Sequence, residues 1–294
     1  MTSPRTREGI AMSDPYLITG PALISFSGGR TSGYMLKHIL DAHGGTLPGD
    51  VVVAFANTGK EREETLRFVH ECGSRWGVKI HWLEWRNTNG VTFEEVGFNS
   101  ASRNGEPFAA LIAKKNYLPN SVTRFCTTEL KIMVMRDFCK SLGWKNWTNI
   151  IGLRYDEGGR VLRALDRNAQ GKEPWKNAMP MAKAKVTVRD VRAFWDRQPF
   201  DLQLKSYEGN CDLCFLKGER KLAALMRENP GMSDWWIAQE RGLVNQKQSG
   251  ARFVTERSYA ELQAFEDRQG FLFDADDGDE DECGLACGAD EASP

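Results

Sequence analysis

Apolar positions along this chain fall into short unbroken runs separated by helix-spaced stripes. The run Ala22-Leu23-Ile24 stops at Ser27-Gly28-Gly29, and an apolar-periodic segment from Tyr34 to Leu40 begins at once. That pattern predicts a strand, a glycine-rich turn and a helix N-terminus. Val51 to Ala56 is a continuous apolar run, as in a strand buried on both faces. It ends at Asn57-Thr58-Gly59, and a helical stripe through Leu66, Val69 and Trp76 follows from Glu61. Val78 to Trp82 reads as the next strand. Strands alternating with helices at this spacing predict a parallel sheet of βαβ units. Ligands on such sheets sit outside the carboxyl ends of the strands, where both turns fall.

The middle of the chain is less regular. Asn87 to Pro119 is rich in Gly, Asn and Phe and is expected to include a mobile loop near the site. A helix is expected from Thr128, with Leu130, Met133, Val134 and Phe138 on one face, and a strand from Trp147 to Leu153. Helices are also expected around Val188–Trp195, Leu216–Glu228 and Ser258–Gln269. The fold predicted is α/β: a parallel twisted sheet with flanking helices, a helical C-terminal portion and a flexible acidic tail. The expected divisions are a loose leader over 1–20, a nucleotide-binding α/β domain over 21–200, a helical portion over 201–272, and a tail over 273–294.

Composition changes the picture at two points. The formal charge of −1 over 294 residues hides an acidic ending, because Asp274 to Glu282 carries seven carboxylates and the rest sums to +6. A mildly cationic body suits an anionic small ligand, RNA or DNA. Seven cysteines without framework spacing argue for thiol or metal chemistry over a secreted disulfide scaffold. No run approaches the roughly 18 apolar residues of a membrane span, so a cytoplasmic protein without membrane partners is expected.

The chemistry starts at the first turn. Ser27, Gly28, Gly29, Arg30, Thr31 and Ser32 join a strand to a helix N-terminus, where backbone N–H groups and the helix dipole suit an oxyanion such as phosphate. The spacing is neither a Walker A loop nor a dinucleotide fingerprint. Asn57, Thr58 and Gly59 form either a nucleotide contact or an ordinary strand-ending turn. Arg154 and Arg160, bracketing Asp156-Glu157, suit phosphate or sulfate, or else a surface ion-pair cluster. Cys211 and Cys214 form a C-x-x-C pair able to chelate a metal or cycle as a disulfide, with Cys126 as a third ligand. Cys72 and Cys139 lie within helical stripes and read as core. Cys283 and Cys287 lie in the acidic tail, where nearby carboxylates disfavour a thiolate unless docking supplies positive charge.

Taken together, these stretches resemble the phosphoadenosine phosphosulfate (PAPS) reductase family of the PP-loop, adenine-nucleotide α-hydrolase-like superfamily. Ser27-Gly28-Gly29-Arg30-Thr31-Ser32 is similar to the PP-loop Ser-Gly-Gly-x-Asp-Ser, with Thr31 where Asp is usual. Phe55 to Gly59, Arg124 to Lys131, Gly152-Leu-Arg154-x-x-Glu157 and Glu282-Cys283-Gly284-Leu285 are similar to further family motifs. Phe125 stands where the cluster-bearing adenylyl-sulfate reductases have a cysteine, Gly158 replaces a motif Ser, and Ala286 replaces a tail His. The acidic, cysteine-ended form also resembles members carried by phages and prophages.

The resemblance implies an adenine nucleotide (PAPS, adenylyl sulfate or ATP) held by Ser27–Ser32, Asn57–Gly59, Arg154, Glu157 and Arg160. It implies Cys283 as nucleophile with a thioredoxin-like thiol donor, giving sulfite. Its alternative is an ATP pyrophosphatase, using Mg2+, that thiolates a base in RNA or DNA. There Cys126, Cys211 and Cys214 would hold a [4Fe-4S] cluster, or zinc. A third reading is a non-catalytic nucleotide-binding module whose C-x-x-C holds a structural metal.

Overall fold

The computed structural model describes residues 14–88, 90–209, 211–244 and 251–268. Strand β1 (Ala22–Ser25) leads through a short loop into α1 (Arg30–Ala42), β2 (Val51–Asn57), α2 (Glu63–Trp76) and β3 (Ile80–Thr88). The apolar runs become strands because both of their faces are covered, and Val51–Asn57 is buried at every position but one. Helix α2 ends where Gly77 adopts the left-handed conformation at φ 63°.

The stretch 87–119, expected to include a loop, holds β4 (Val91–Val96) and α3 (Glu106–Lys115) with irregular segments between and after them. Strand β4 pairs antiparallel with β3. Its burial pattern is almost wholly exposed, so it lacks the buried apolar run that identifies an inner strand.

Beyond it, α4 (Phe125–Thr127), a π-helical stretch (Thr128–Met133) and α5 (Val134–Ser141) follow one another without a break. Strand β5 (Trp147–Ile150) leads to α6 (Gly158–Gln170), β6 (Trp175–Ala178), α7 (Pro180–Lys183) and α8 (Val188–Trp195). Helix α8 opens with a capping box between Thr187 and Asp190. The C-terminal portion supplies α9 (Glu219–Glu228), α10 (Asp234–Val244) and α11 (Tyr259–Arg268).

The sheet order is β4-β3-β2-β1-β5-β6, and every pairing except β3–β4 is parallel. This is an α/β fold. Alternation along β1 divides two cores: Ala22 and Ile24 face α1, α2 and α8, while Leu23 faces α3, α5, α9 and α10. Among the described residues, no helix is long and apolar enough to cross a membrane.

Candidate functional site

The chain steps from β1 outward to β3 on one side, then returns to place β5 on the other side of β1. The crevice beyond the carboxyl ends of β1 and β5 is therefore a topological switch point, where α/β sheets bind ligands. The Ser27–Ser32 loop leaves β1 there. Gly28 has φ +80°, and a Cβ on it would stand 2.7 Å from Thr65 Cγ2, so both backbone and space demand glycine. Gly29 caps α1 in extended conformation, and neither a side-chain cap nor a first-turn carboxylate occupies the positive helix end. The Ser32 hydroxyl donates to Gly29 O at 2.9 Å and receives a bond from the Ser27 hydroxyl at 3.1 Å.

Arg30 is committed elsewhere. Its guanidinium donates to both Asp201 oxygens and to Leu204 O, while its own carbonyl accepts from Trp195 Nε1 at 2.8 Å. It clamps the loop to the segment after α8. Asp201 is held ionised below the usual carboxylate range: burial opposes this, but the Arg30 bonds outweigh burial.

The opposite wall comes from the exit of β5. A Cβ on Gly152 would stand 3.6 Å from the Ser32 Cα, so the two segments run side by side. Arg154 is buried; Nη1 donates to Thr31 Oγ1 at 3.2 Å and Nε to Asp156 Oδ1 at 3.0 Å. Glu157 accepts from Arg154 N at 2.8 Å through one oxygen and from Arg160 Nη1 through the other. Two further atoms of Arg160, Nε and Nη2, are buried without a hydrogen-bond partner. Buried guanidinium donors are normally answered, so this pair is poised for an acceptor.

The Asn57–Gly59 turn is largely occupied with itself. Asn57 is fully buried, donating to Glu84 Oε1 at 2.6 Å and Ser102 O at 2.9 Å, and accepting from Gly59 N. Thr58 donates through both its N–H and hydroxyl to Glu61, at 2.9 Å and 2.9–3.0 Å. Gly59, at φ +79°, abuts Gly105. These bonds make the turn a frame whose side-chain groups are spent on the protein. Glu61, missed by sequence reasoning, had a signal in the Thr58-x-x-Glu61 spacing of a capping box.

Against that frame stand the cysteines. Cys211 Sγ lies 3.5 Å from Thr58 Oγ1, and its backbone bridges Glu61. Asp212 N donates to Lys60 O, and the Lys60 ammonium pairs with the Asp212 carboxylate at 2.8 Å. Lys217, almost fully buried, gathers the carbonyls of Gly209, Cys211 and Asp212 at 2.6–3.2 Å.

Burial pushes the Cys126 thiol up to about 12, and the charge of Cys214 adds to the shift while Lys131 opposes it. Burial likewise raises Cys211, with Glu61 and Cys214 adding to it and Lys131 opposing. Cys214 thus acts on both Cys126 and Cys211. No group of three or more His, Cys, Asp or Glu able to hold a metal ion occurs among the described residues. Cys72 and Cys139 are fully buried in the two cores, as expected. Cys283 and Cys287 lie outside the described residues.

No family model matches this chain. The uncharacterized nin region protein ORF290 of Escherichia phage lambda is 31% identical over 219 residues, covering 71% of each chain. The uncharacterized protein MJ0066 of Methanocaldococcus jannaschii is 24% identical over 223 residues, 74% of this chain but only 41% of its own length. Among solved structures, the U34-tRNA thiolase NcsA from Methanococcus maripaludis with its [4Fe-4S] cluster covers 87% of this chain and 82% of its own. The two share 14% identity with a TM-score of 0.37.

Proposed function

We propose that this chain, which belongs to the family of the phage lambda nin region protein ORF290, is a nucleotide-dependent enzyme of sulfur chemistry. The adenine nucleotide's phosphates rest on the Ser27–Ser32 loop, and Arg160 answers an oxyanion of the same ligand. The observation that carries this reading is the pair of buried, unanswered Arg160 atoms, linked through Glu157 and Arg154 to Thr31 of the loop.

The finer reading is reduction of a sulfonucleotide, PAPS or adenylyl sulfate. Thr31 supports it. Where ATP-splitting PP-loops carry Asp, this chain has a hydroxyl held by the Arg154 guanidinium, which offers Mg2+ no carboxylate and offers an anion a cation-backed wall. In this reading the Cys283 thiolate attacks the sulfur, the S–O bond to the nucleotide breaks, and the nucleotide phosphate leaves with the electron pair. A second thiol, from Cys287 or a thioredoxin-like donor, then attacks the Cys283 sulfur. Sulfite departs and a disulfide remains, so two thiols supply the two electrons.

A second reading, ATP-dependent thiolation of a nucleic-acid base, is supported by the Cys211 sulfur beside Thr58 and by the electrostatic influence of Cys214 on both Cys126 and Cys211. As placed, these residues do not fit a metal or iron–sulfur cage, and no step is routed through one.

Incubating purified full-length protein with PAPS, adenylyl sulfate or ATP and reduced thioredoxin tests both readings. Sulfite from a sulfonucleotide is the expected result. Pyrophosphate from ATP without sulfite would replace the first reading with the second. No binding of any of the three would overturn both.

A further inference from the structure

The face of the sheet opposite α1 carries a second feature that the nucleotide loop does not use. Leu23 and Ser25 of β1, Trp147 and Asn149 of β5, and Trp175 and Asn177 of β6 all point to this face, forming the floor of a pocket. The π-helical stretch and α5 wall one side, with Arg136 on the lining, and α6 walls the other with Arg167. The cavity is small and open at its mouth, about 110 Å³, below the roughly 300–1,000 Å³ usual for sites that enclose a whole small molecule.

The floor has two rows. The first is aromatic: Trp147 and Trp175 are register partners, with ring centroids 5.4 Å apart. The second is a ladder of amides. The Ser25 hydroxyl donates to Asn149 Oδ1 at 2.6 Å, and Asn149 Nδ2 donates to Asn177 Oδ1 at 3.0 Å. Asn168 of α6 then fixes the Asn177 backbone from both sides, accepting its N–H and donating to its carbonyl. An asparagine side chain has two N–H donors and two acceptor lone pairs. The ladder uses one donor and one acceptor of Asn149, leaving the donor–acceptor couple with which this side chain reads the edge of a base.

Flat indole surfaces, a half-used amide row and two flanking guanidinium groups suit one ligand chemistry. We infer that this pocket binds a nucleobase carrying its own phosphate, distinct from the nucleotide on the Ser27–Ser32 loop. Arg136, paired with Asp137, and Arg167 line the pocket together with the Glu173 carboxylate, and the pocket lies across the sheet from the helix behind that loop, so it takes a separate molecule. Its source is a free nucleotide or a base presented by a single-stranded nucleic acid.

Calorimetric titration of the full chain tests this, with the four ribonucleoside monophosphates and a mixed-sequence single-stranded oligonucleotide, each with and without saturating ATP. The expected result is a binding event that persists with ATP present. Asn177→Leu and Arg136→Ala should each weaken it by at least about tenfold, while ATP affinity stays within twofold. Arg136 is half-buried and paired with its chain neighbour Asp137, so Arg136→Ala reports even if Asn177→Leu folds poorly. Binding by monophosphates assigns a free nucleotide; binding by the oligonucleotide alone assigns a nucleic-acid base. The proposal is overturned if no probe binds with or without ATP, if ATP competes every probe away, or if both variants weaken ATP equally. A wild-type protein that ignores ATP but binds a probe sinks the loop assignment and leaves the pocket standing.

Discussion

The Arg154 guanidinium donates to the Thr31 hydroxyl at 3.2 Å, joining residues 123 positions apart in the chain. The contact ties the exit of β5 to the loop leaving β1, so the crevice between them has a fixed width. Arg154→Ala removes the tie and one partner of Asp156. It should lower stability by about 2–4 kcal/mol in urea unfolding and nucleotide affinity by about tenfold or more. Thr31→Val removes only the hydroxyl and should cost less, roughly 0.5–1.5 kcal/mol. Unchanged nucleotide affinity in Arg154→Ala would show that this wall does not face the ligand.

Gly28→Ala combines a left-handed backbone with a Cβ 2.7 Å from Thr65 Cγ2. The expected loss is about 2–4 kcal/mol. Adding Thr65→Ser removes the offending methyl and should recover part of that loss, leaving roughly 1 kcal/mol of backbone strain. A double-mutant cycle by urea denaturation measures the recovery. Strict additivity of the two changes would rule out the steric account.

Glu84 has no exposed surface and accepts from Asn57, from the N–H and hydroxyl of Ser102, and from Arg86. Glu84→Leu strands several buried donors at once. Its cost should reach about 3–5 kcal/mol, whereas Glu84→Gln, which keeps acceptors on one oxygen, should cost less. A Leu variant as stable as wild type in thermal melts would show that the Asn57 turn does not need this brace.

Burial pushes the Cys139 thiol up to about 12, against about 8.5 in an unfolded chain. The folded form keeps this proton longer than the unfolded form does. Its contribution is therefore intact below about pH 8.5 and is lost as pH rises toward 12, with a limiting slope of about 1.4 kcal/mol per pH unit. Cys139→Ala should flatten the alkaline decline relative to wild type when unfolding is followed from pH 8 to 11 under reducing conditions. Parallel curves would show that Cys139 is not the titrating group.

The inner strands were legible because their covered faces leave unbroken apolar runs, and the Ser-Gly-Gly turn because its signal is local. The outer elements hid for the opposite reason. Helix α6 buries only Ala164 and turns Leu162 and Leu165 to solvent, so its apolar positions do not mark its packed face. Strand β6 is four residues long, with no position fully buried. Arg30 reads as a ligand-binding charge from its neighbours alone; its partner Asp201 is 171 residues away and only the folded chain reveals it. The cysteines were found by spacing, but their setting against Thr58 and Glu61 depends on where the 211–214 segment docks.

Lys217 has a consequence for how the cysteine segment lives with its chemistry. One buried ammonium already collects three carbonyls of this segment, much as a bound cation would. The turn bearing Cys211 and Cys214 is thus cross-braced by a group that neither oxidises nor dissociates. The backbone that presents its two sulfurs is therefore held from inside the protein, by a side chain six residues from one cysteine and three from the other.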